Sequence, residues 1–227
     1  MKLFAAVVAI PVLLVAWQWW SGVRTESRLR PVASAVAGRG VEVDCQSFWG
    51  SLLDAQSRHG EVWFGPDGVP EARIFLTHPT CERLADFAGK GHHAELDCLA
   101  EIDWSDSVPL PLESDCYRRS SDTVYALLVL AHEAYHTAGV RDEALANCYA
   151  IQALGWAASA LGARLEEAER VALAMAALAP YQRGPYANSN CRPGSEIDLH
   201  PETPFFPTER PLAPPQGLGG SLAAKQP

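Results

Sequence analysis

One long apolar segment with polar residues embedded in it constrains this chain more than any other feature. Residues 120–139, SSDTVYALLVLAHEAYHTAG, are predicted to form one helix, with an N-cap at Ser121 or Asp122 and a stop at Gly139. Two histidines and a glutamate follow a purely apolar run within it. Because buried polar groups are costly unless they are paired, these three side chains need either internal partners or a chemical role.

The spacing of His132 and His136 is that of two metal ligands on a helix. Residues four apart project from the same face, one turn apart, and two such ring nitrogens reach one tetrahedral Zn²⁺ at about 2.0–2.1 Å. Glu133 lies about 100° round the helix from His132, which suits a general base acting on a water at the metal better than a third ligand. The alternative is a core helix with two hydrogen-bonded histidines, but it would bury Glu133 with no basic partner nearby in sequence. The pattern favours a zinc site.

A third ligand is expected just beyond this helix, where Gly139 lets the chain turn back. Two carboxylates follow, Asp142 and Glu143, and either could complete the site. Asp142 is better suited to cap the next helix, and Asn147, four residues after Glu143, could orient a histidine ligand, so Glu143 is favoured. A helix-start carboxylate stabilised by the helix dipole alone is the simpler interpretation of both residues.

The motif HEAYH with its apolar flanks resembles the zincin superfamily of metallopeptidases. The stretch EALAN, Glu143 to Asn147, resembles the glutamate helix of the gluzincin branch, in which an acidic residue follows the glutamate ligand by four positions. The resemblance implies a zincin-like fold and a zinc peptidase with His132, His136 and Glu143 on the metal and Glu133 as the catalytic base. It implies a peptide or protein as the substrate.

Two further resemblances concern the same region. HEAYHTAGVRD partly resembles the metzincin pattern, which would make Asp142 the third ligand, but that branch has a methionine turn and Met175 falls in a predicted helix. AHEAYHTAGVRDEALANCYAIQ, with PYANSNCRPGSEIDLHP further on, also looks like a group of uncharacterised bacterial envelope proteins.

The N-terminus is predicted to contact a membrane. Leu3 to Trp20 is a run of 18 residues without a charge, and as a helix it would reach about 27 Å, close to the hydrocarbon thickness. Trp17, Trp19 and Trp20 stand where an interfacial aromatic belt would lie. An uncleaved anchor is favoured, and a cleaved signal peptide is the alternative.

The six cysteines indicate the compartment. Positive charges at Arg24, Arg28 and Arg30 outnumber Lys2 and would by themselves place the domain in the cytoplasm. The cysteines are even in number, spread over the domain and without a Cys-x-x-Cys pair, which suits three disulfides on the extracytoplasmic side. Cys148 is expected to hold the glutamate helix to the C-terminal segment, with Cys191 as its partner.

The remaining patterns predict an α+β chain that is mostly helical, with a small β-hairpin at 62–76 around a Pro-Asp-Gly turn and helices at 78–89, 142–162 and 165–180. The predicted organisation is an anchor at 1–22, a linker at 23–40, the domain at 41–206 and a disordered Pro/Gly-rich tail at 207–227. The net charge of −9 repels phosphate backbones, so no nucleic-acid partner is expected.

Two functions follow from these patterns. The favoured one is a membrane-anchored, extracytoplasmic zinc metallopeptidase. The other is a non-catalytic envelope protein that keeps the metal or the fold for binding or structure. An intact Glu133 favours the enzyme, because a structural metal site does not need a base. Tyr135, Tyr149, Tyr181 and Tyr186 are candidates to stabilise an oxyanion, although packed aromatics are the simpler interpretation.

Overall fold

The computed structural model describes residues 22–47, 50, 59–102, 115–179, 182–203, 206 and 208. The predicted anchor at Leu3–Trp20, Tyr181 and nearly all of the predicted tail at 207–227 lie outside these residues. In the described part of the chain, no helix combines the length and the apolar character that a membrane span requires.

The structure is α+β and mostly helical, as the sequence predicts. The helices of the described residues include α1 (22–37), α2 (His78–Gly89), α3 (Ala94–Asp97), α4 (Asp115–Thr137), α5 (Glu143–Ala160) and α6 (Leu165–Leu178). The 3₁₀ turns Cys98–Glu101 and Gly184–Tyr186 follow α3 and α6 along the chain. The predicted helix within 120–139 therefore begins earlier, at Asp115, and ends at Thr137, just before Gly139.

A small sheet lies upstream of the long helices. Its strands are β1 (Glu42–Cys45), β2 (Gly60–Glu61) and β3 (Arg73–Leu76), in the order β1-β3-β2. The β1 strand runs parallel to β3, while β2 pairs antiparallel to β3 and forms one edge of the sheet. Beyond β2, the predicted hairpin is reduced to a single bridge between Phe64 and Pro70.

The core is built around α5, which packs between α4 and α6. Its apolar residues cover the whole circumference, so nearly every side chain from Leu145 to Leu154 is buried. Close approach of α6 requires Gly155, because a Cβ there would lie 2.9 Å from the Cβ of Ala172. The reversal between α4 and α5 uses Gly139 at φ 98°, with the Val140 amide donating to the Tyr135 carbonyl.

The predicted linker at 23–40 is mostly a helix in the structure. Residues 22–37 form α1, and Leu29, Val32, Ala33 and Val36 are buried in the main core. These positions recur at helical spacing and define one apolar stripe, which the charged and small residues around them obscure in the sequence. The chain therefore begins to contribute to the core well before residue 41.

Three disulfides connect these elements. Cys45–Cys81 joins β1 to α2, Cys98–Cys116 joins the first 3₁₀ turn to α4, and Cys148–Cys191 joins α5 to the C-terminal segment. The last pairing is the one predicted from the sequence. Because all six cysteines are paired, the structure is consistent with an extracytoplasmic location.

Candidate metal centre

The two motif histidines lie on one buried face near the end of α4. His132 and His136 are 8 % and 6 % exposed, and their Nε2 atoms are 2.9 Å apart. The Nδ1 of His136 lies 2.6 Å from the carbonyl oxygen of Val140, which orients that ring and directs Nε2 towards His132. Burial lowers the pKa of His132 and so favours the neutral imidazole that a metal ion binds.

The structure brings Glu143, rather than Asp142, to the histidines. Asp142 is the N-cap of α5, where its side chain accepts a hydrogen bond from the Leu145 amide at 2.8 Å. Glu143 is the first residue of α5, and its Oε2 lies 3.0 Å from His132 Nε2 and 3.4 Å from His136 Nε2. Hydrogen bonds with His132 and His136 hold the pKa of Glu143 well below its usual range.

These three ligand atoms fit one metal ion. In a tetrahedral zinc site with bonds of about 2.0–2.1 Å, neighbouring ligand atoms are about 3.3 Å apart. The separations among His132, His136 and Glu143 are 2.9, 3.0 and 3.4 Å, so shifts of a few tenths of an ångström would accommodate the ion. The three residues thus form a group that could hold a metal ion.

Glu133 points into the same region without joining this group. It is buried, and burial raises its pKa to about 7, which makes it a stronger base than an exposed glutamate. The backbone of Gly60 in the edge strand β2 lies directly against its side chain. Strand β2 therefore restricts where Glu133 can place its carboxylate.

The site opens into a cleft of about 1130 Å³. Helix α4 forms one wall, and β2, α6 and the 3₁₀ turn at Gly184–Tyr186 contribute the others; the lining includes Glu61, Tyr125, Val129, Met175, Leu178 and Tyr186. The lining combines apolar side chains such as Val129, Met175 and Leu178 with many polar ones, both at the histidines and at Ser120–Asp122. No sequence pattern indicated this cleft, because its walls come from distant segments.

The sequence analysis suggested that Asn147 could orient a histidine ligand, but the structure gives its side chain a different partner. Its Nδ2 donates to the carbonyl oxygen of Tyr186 at 3.1 Å. The ring of Tyr186 in turn packs edge-on against His132, with centroids 5.7 Å apart. The two residues are 39 positions apart in sequence, so local spacing carries no signal for this contact.

Of the tyrosines proposed from the sequence as oxyanion donors, two are buried in the core and one lines the cleft. Tyr135 and Tyr149 are fully buried and pack on each other, with ring centroids 5.4 Å apart. Neither lines the cleft, whereas Tyr186 does. The packed-aromatic interpretation therefore applies to Tyr135 and Tyr149.

A second group of side chains with metal-ligand chemistry is His92, Asp97 and Glu167. Here the guanidinium of Arg164 already lies 2.9 Å from both Glu167 Oε1 and His92 Nδ1. A cation thus occupies the position between the ligand atoms. This group is best described as an ion-pair network that holds the start of α6 to the segment before α3.

Comparison of this chain with protein-family models, curated proteins and solved structures finds no match.

Proposed function

We propose that this protein is a zinc-dependent peptidase that hydrolyses peptide bonds. His132, His136 and Glu143 are the zinc ligands and Glu133 is the catalytic base. The observation that carries the proposal is the convergence of the three ligand atoms, within 4.8 Å of one another, beside a buried carboxylate in an open cleft. Three protein ligands leave one coordination position for water or substrate, which is the arrangement of catalytic rather than structural zinc sites.

The ligand set supports zinc. Two imidazole nitrogens and one carboxylate oxygen at tetrahedral separations are typical of catalytic zinc, whereas magnesium and calcium prefer oxygen ligands. When bound, zinc supplies Lewis-acid chemistry, polarising the carbonyl of the substrate and lowering the pKa of water.

Glu133 performs the proton transfers. It takes a proton from the attacking water and delivers it to the nitrogen of the scissile bond as that bond breaks. Gly60 limits the movement of this side chain, so the carboxylate is held ready for transfer.

The edge strand β2 supports a polypeptide substrate. Gly60 and Glu61 pair with β3 on one side, and they line the cleft together with His59 and Val62. A peptide in an extended conformation can pair with such an edge through main-chain hydrogen bonds. This alignment would carry the scissile carbonyl past Glu133.

The proposed enzyme acts outside the cytoplasm. Its three disulfides are consistent with an oxidising compartment, and the apolar segment Leu3–Trp20 is the proposed membrane anchor, with secretion after cleavage as the alternative. Residues 22–37 follow this segment in sequence and are packed in the core, so an anchor at Leu3–Trp20 would keep the domain close to the membrane surface.

The Glu133→Gln variant tests the proposal. The full chain is purified in detergent, loaded with zinc and assayed on fluorescein-labelled casein, with metal content measured in parallel. The variant is expected to keep its zinc and to lose activity by at least about 10²-fold, since it can no longer accept a proton. A wild-type protein that binds zinc but cleaves nothing would instead indicate the non-catalytic metal-binding protein, and one without zinc would overturn both.

A further inference from the structure

One arginine lines the cleft that contains the metal centre. Among the described lining residues, Arg141 is the only lysine or arginine, whereas four carboxylates line the same cleft: Glu61, Asp122, Glu133 and Glu143. Because like charges repel, an anionic group of a ligand is disfavoured near these carboxylates and favoured near Arg141. Away from the metal ligands, Arg141 is therefore the position in the cleft that selects for negative charge.

The guanidinium of Arg141 is held in place without a carboxylate partner. Its Cζ lies 5.6 Å from the centroid of the Phe64 ring, within the range of cation–π contacts, and its Nη2 donates to the carbonyl oxygen of Gly68. In the part of the chain that the structure describes, no carboxylate forms an ion pair with it. A guanidinium has five N–H donors, so most of them remain available to a ligand.

Arg141 is close enough to the metal centre to contact a residue near the scissile bond. It follows Val140, whose carbonyl oxygen orients His136. The Phe64 ring contacts both side chains, with its centroid 5.6 Å from Arg141 Cζ and 6.3 Å from the centroid of the His136 ring. The guanidinium is therefore within about 12 Å of the His136 ring, and an extended chain at about 3.3–3.6 Å per residue spans that distance in about four residues or fewer.

The direction of strand β2 determines which part of a substrate reaches Arg141. The His59 ring packs on Tyr125, with centroids 4.9 Å apart, and Phe64 packs on His136, so this segment runs in the same direction as α4. A peptide that pairs antiparallel to β2, the commoner arrangement, runs the opposite way and passes Arg141 with the residues before its scissile bond. A peptide that pairs parallel to β2 would bring its C-terminal part there.

We propose that Arg141 determines specificity by binding a carboxylate of the substrate within about four residues of the scissile bond. This inference rests on the proposed peptidase function and names its substrate class. The antiparallel arrangement favours an aspartate or glutamate side chain before the scissile bond, and the same chemistry is offered by the C-terminal carboxylate of a peptide bound the other way. The contact is remote from the reacting atoms, so it strengthens substrate binding more than it assists the chemical step.

The first test reads the preference from cleavage sites. The full chain, in detergent and loaded with zinc, digests a library of random dodecapeptides with amidated C-termini, and mass spectrometry locates the cleaved bonds. The wild type is expected to enrich Asp and Glu about three- to tenfold at one position within four residues before the cleaved bond, a modest effect because Arg141 is exposed. Arg141→Met keeps the aliphatic part of the side chain, and it should keep the zinc but lose the enrichment.

The same library with free C-termini is the second arm. Cleavage at a fixed distance within four residues of the C-terminus, seen in this library but not in the amidated one, would identify the C-terminal carboxylate as the group bound. Either pattern supports the inference if it is lost in Arg141→Met. A wild type that shows neither pattern, or an Arg141→Met variant that retains one, would overturn it.

Arg73→Met is the matched control. Arg73 also lies over an aromatic ring, with Cζ 6.0 Å from the centroid of Phe75, but it pairs with Asp44 and does not line the cleft. This variant should cleave the same bonds as the wild type with the same preference. Loss of the preference in Arg73→Met as well would show that it does not depend on the position of Arg141, against the inference.

A binding measurement provides a readout other than turnover. Calorimetry of the zinc-loaded Glu133→Gln variant, which is expected to bind peptides without cleaving them, compares a cleaved dodecapeptide that has glutamate at the enriched position with its glutamine counterpart; if the C-terminal pattern is the one found, the free acid is compared with its amide. The peptide with the carboxylate should bind about three- to tenfold more tightly, and adding Arg141→Met should remove the difference. A difference that survives Arg141→Met would refute the role of Arg141.

The two proposals fail in different ways. A wild type that cleaves casein and the library without any preference for a carboxylate defeats only this inference. An inactive wild type defeats the proposed function and this inference with it.

Discussion

The backbone of Gly60 lies directly against the side chain of Glu133. A Cβ at residue 60 would be 2.7 Å from Glu133 Cγ and 2.9 Å from Val129 Cγ1, closer than carbon atoms pack. The edge strand of the sheet and the proposed catalytic base therefore fit together only because residue 60 has no side chain. This contact relates the sheet, which would align a substrate, to the residue that would act on it.

Gly60→Ala is expected to displace Glu133 and to reduce peptidase activity about tenfold or more, because general-base catalysis depends on the position of the carboxylate. Zinc content should not change, since the ligands lie elsewhere. Crowding of Val129 should cost about 1–3 kcal/mol of stability. Activity assays, metal analysis and thermal unfolding measure the three effects.

Gly91→Ala is the control for this experiment. A Cβ at Gly91 would meet no atom within 4 Å, and the residue has no positive φ. The activity and the melting temperature of the Gly91→Ala variant should stay near the wild-type values. If Gly60→Ala were as active as Gly91→Ala, the proposed restraint on Glu133 would be wrong.

His136→Ala is expected to abolish stoichiometric zinc binding, because it removes one of three ligands. The wild-type chain should contain one zinc per molecule and should melt at a lower temperature after treatment with a chelator, since an ion bound only to the folded state stabilises it. Metal analysis after dialysis measures the stoichiometry. His92→Ala, in the second group of side chains, should keep its zinc. If His92→Ala lost its zinc while His136→Ala kept it, the metal would be bound by the second group and the proposed ligands would be wrong.

Glu167→Gln should make the stability of the protein less dependent on pH. Burial alone would raise the pKa of Glu167, but hydrogen bonds from the His93 amide and from the side chain and amide of Arg164 lower it from 4.5 to about 2. A carboxyl with a lowered pKa in the folded state stabilises the protein above the unfolded value, and this contribution is lost as the pH falls towards 2.

The wild type is accordingly expected to be more stable than Glu167→Gln by about 1.5–3 kcal/mol at neutral pH, the usual worth of hydrogen bonds to a charged group. Urea unfolding at pH 7 and at pH 3 measures the difference. The difference in unfolding free energy between the wild type and Glu167→Gln should have its full value at pH 7 and a smaller value at pH 3. A gap that is the same at both values would show that the ionised carboxylate is not the stabilising species.

Replacing Cys148 and Cys191 by serine is expected to lower stability and to weaken zinc binding. The bond closes a loop with a sequence separation of 43, for which loop entropy predicts a loss of about 4 kcal/mol. Because it fixes the segment that packs on His132, zinc affinity should fall as well, as titration with a competing chelator would measure. Removing Cys98–Cys116, with a separation of 18, should cost about 3 kcal/mol but leave zinc affinity unchanged in the folded protein.

The local parts of the candidate site follow from short-range patterns in the amino-acid sequence. Helical periodicity places His132 and His136 one turn apart, and the structure shows that arrangement. The preference of aspartate for the N-cap assigns Asp142 to the start of α5 and leaves Glu143 to face the histidines. These features depend on residues a few positions apart, whose relative positions the backbone geometry of a helix dictates.

The surroundings of those residues depend instead on contacts between segments that are distant in sequence. Gly60 reaches Glu133 from 73 positions away, and Asn147 binds Tyr186 from 39 positions away, so no local periodicity relates either pair. The docking of residues 22–37 on the core likewise depends on where the other helices lie. Helix geometry relates residues that are only a few positions apart. The arrangement of whole helices and strands is set by the packing of their apolar faces, because the hydrophobic effect is not directional, and this packing also forms the cleft.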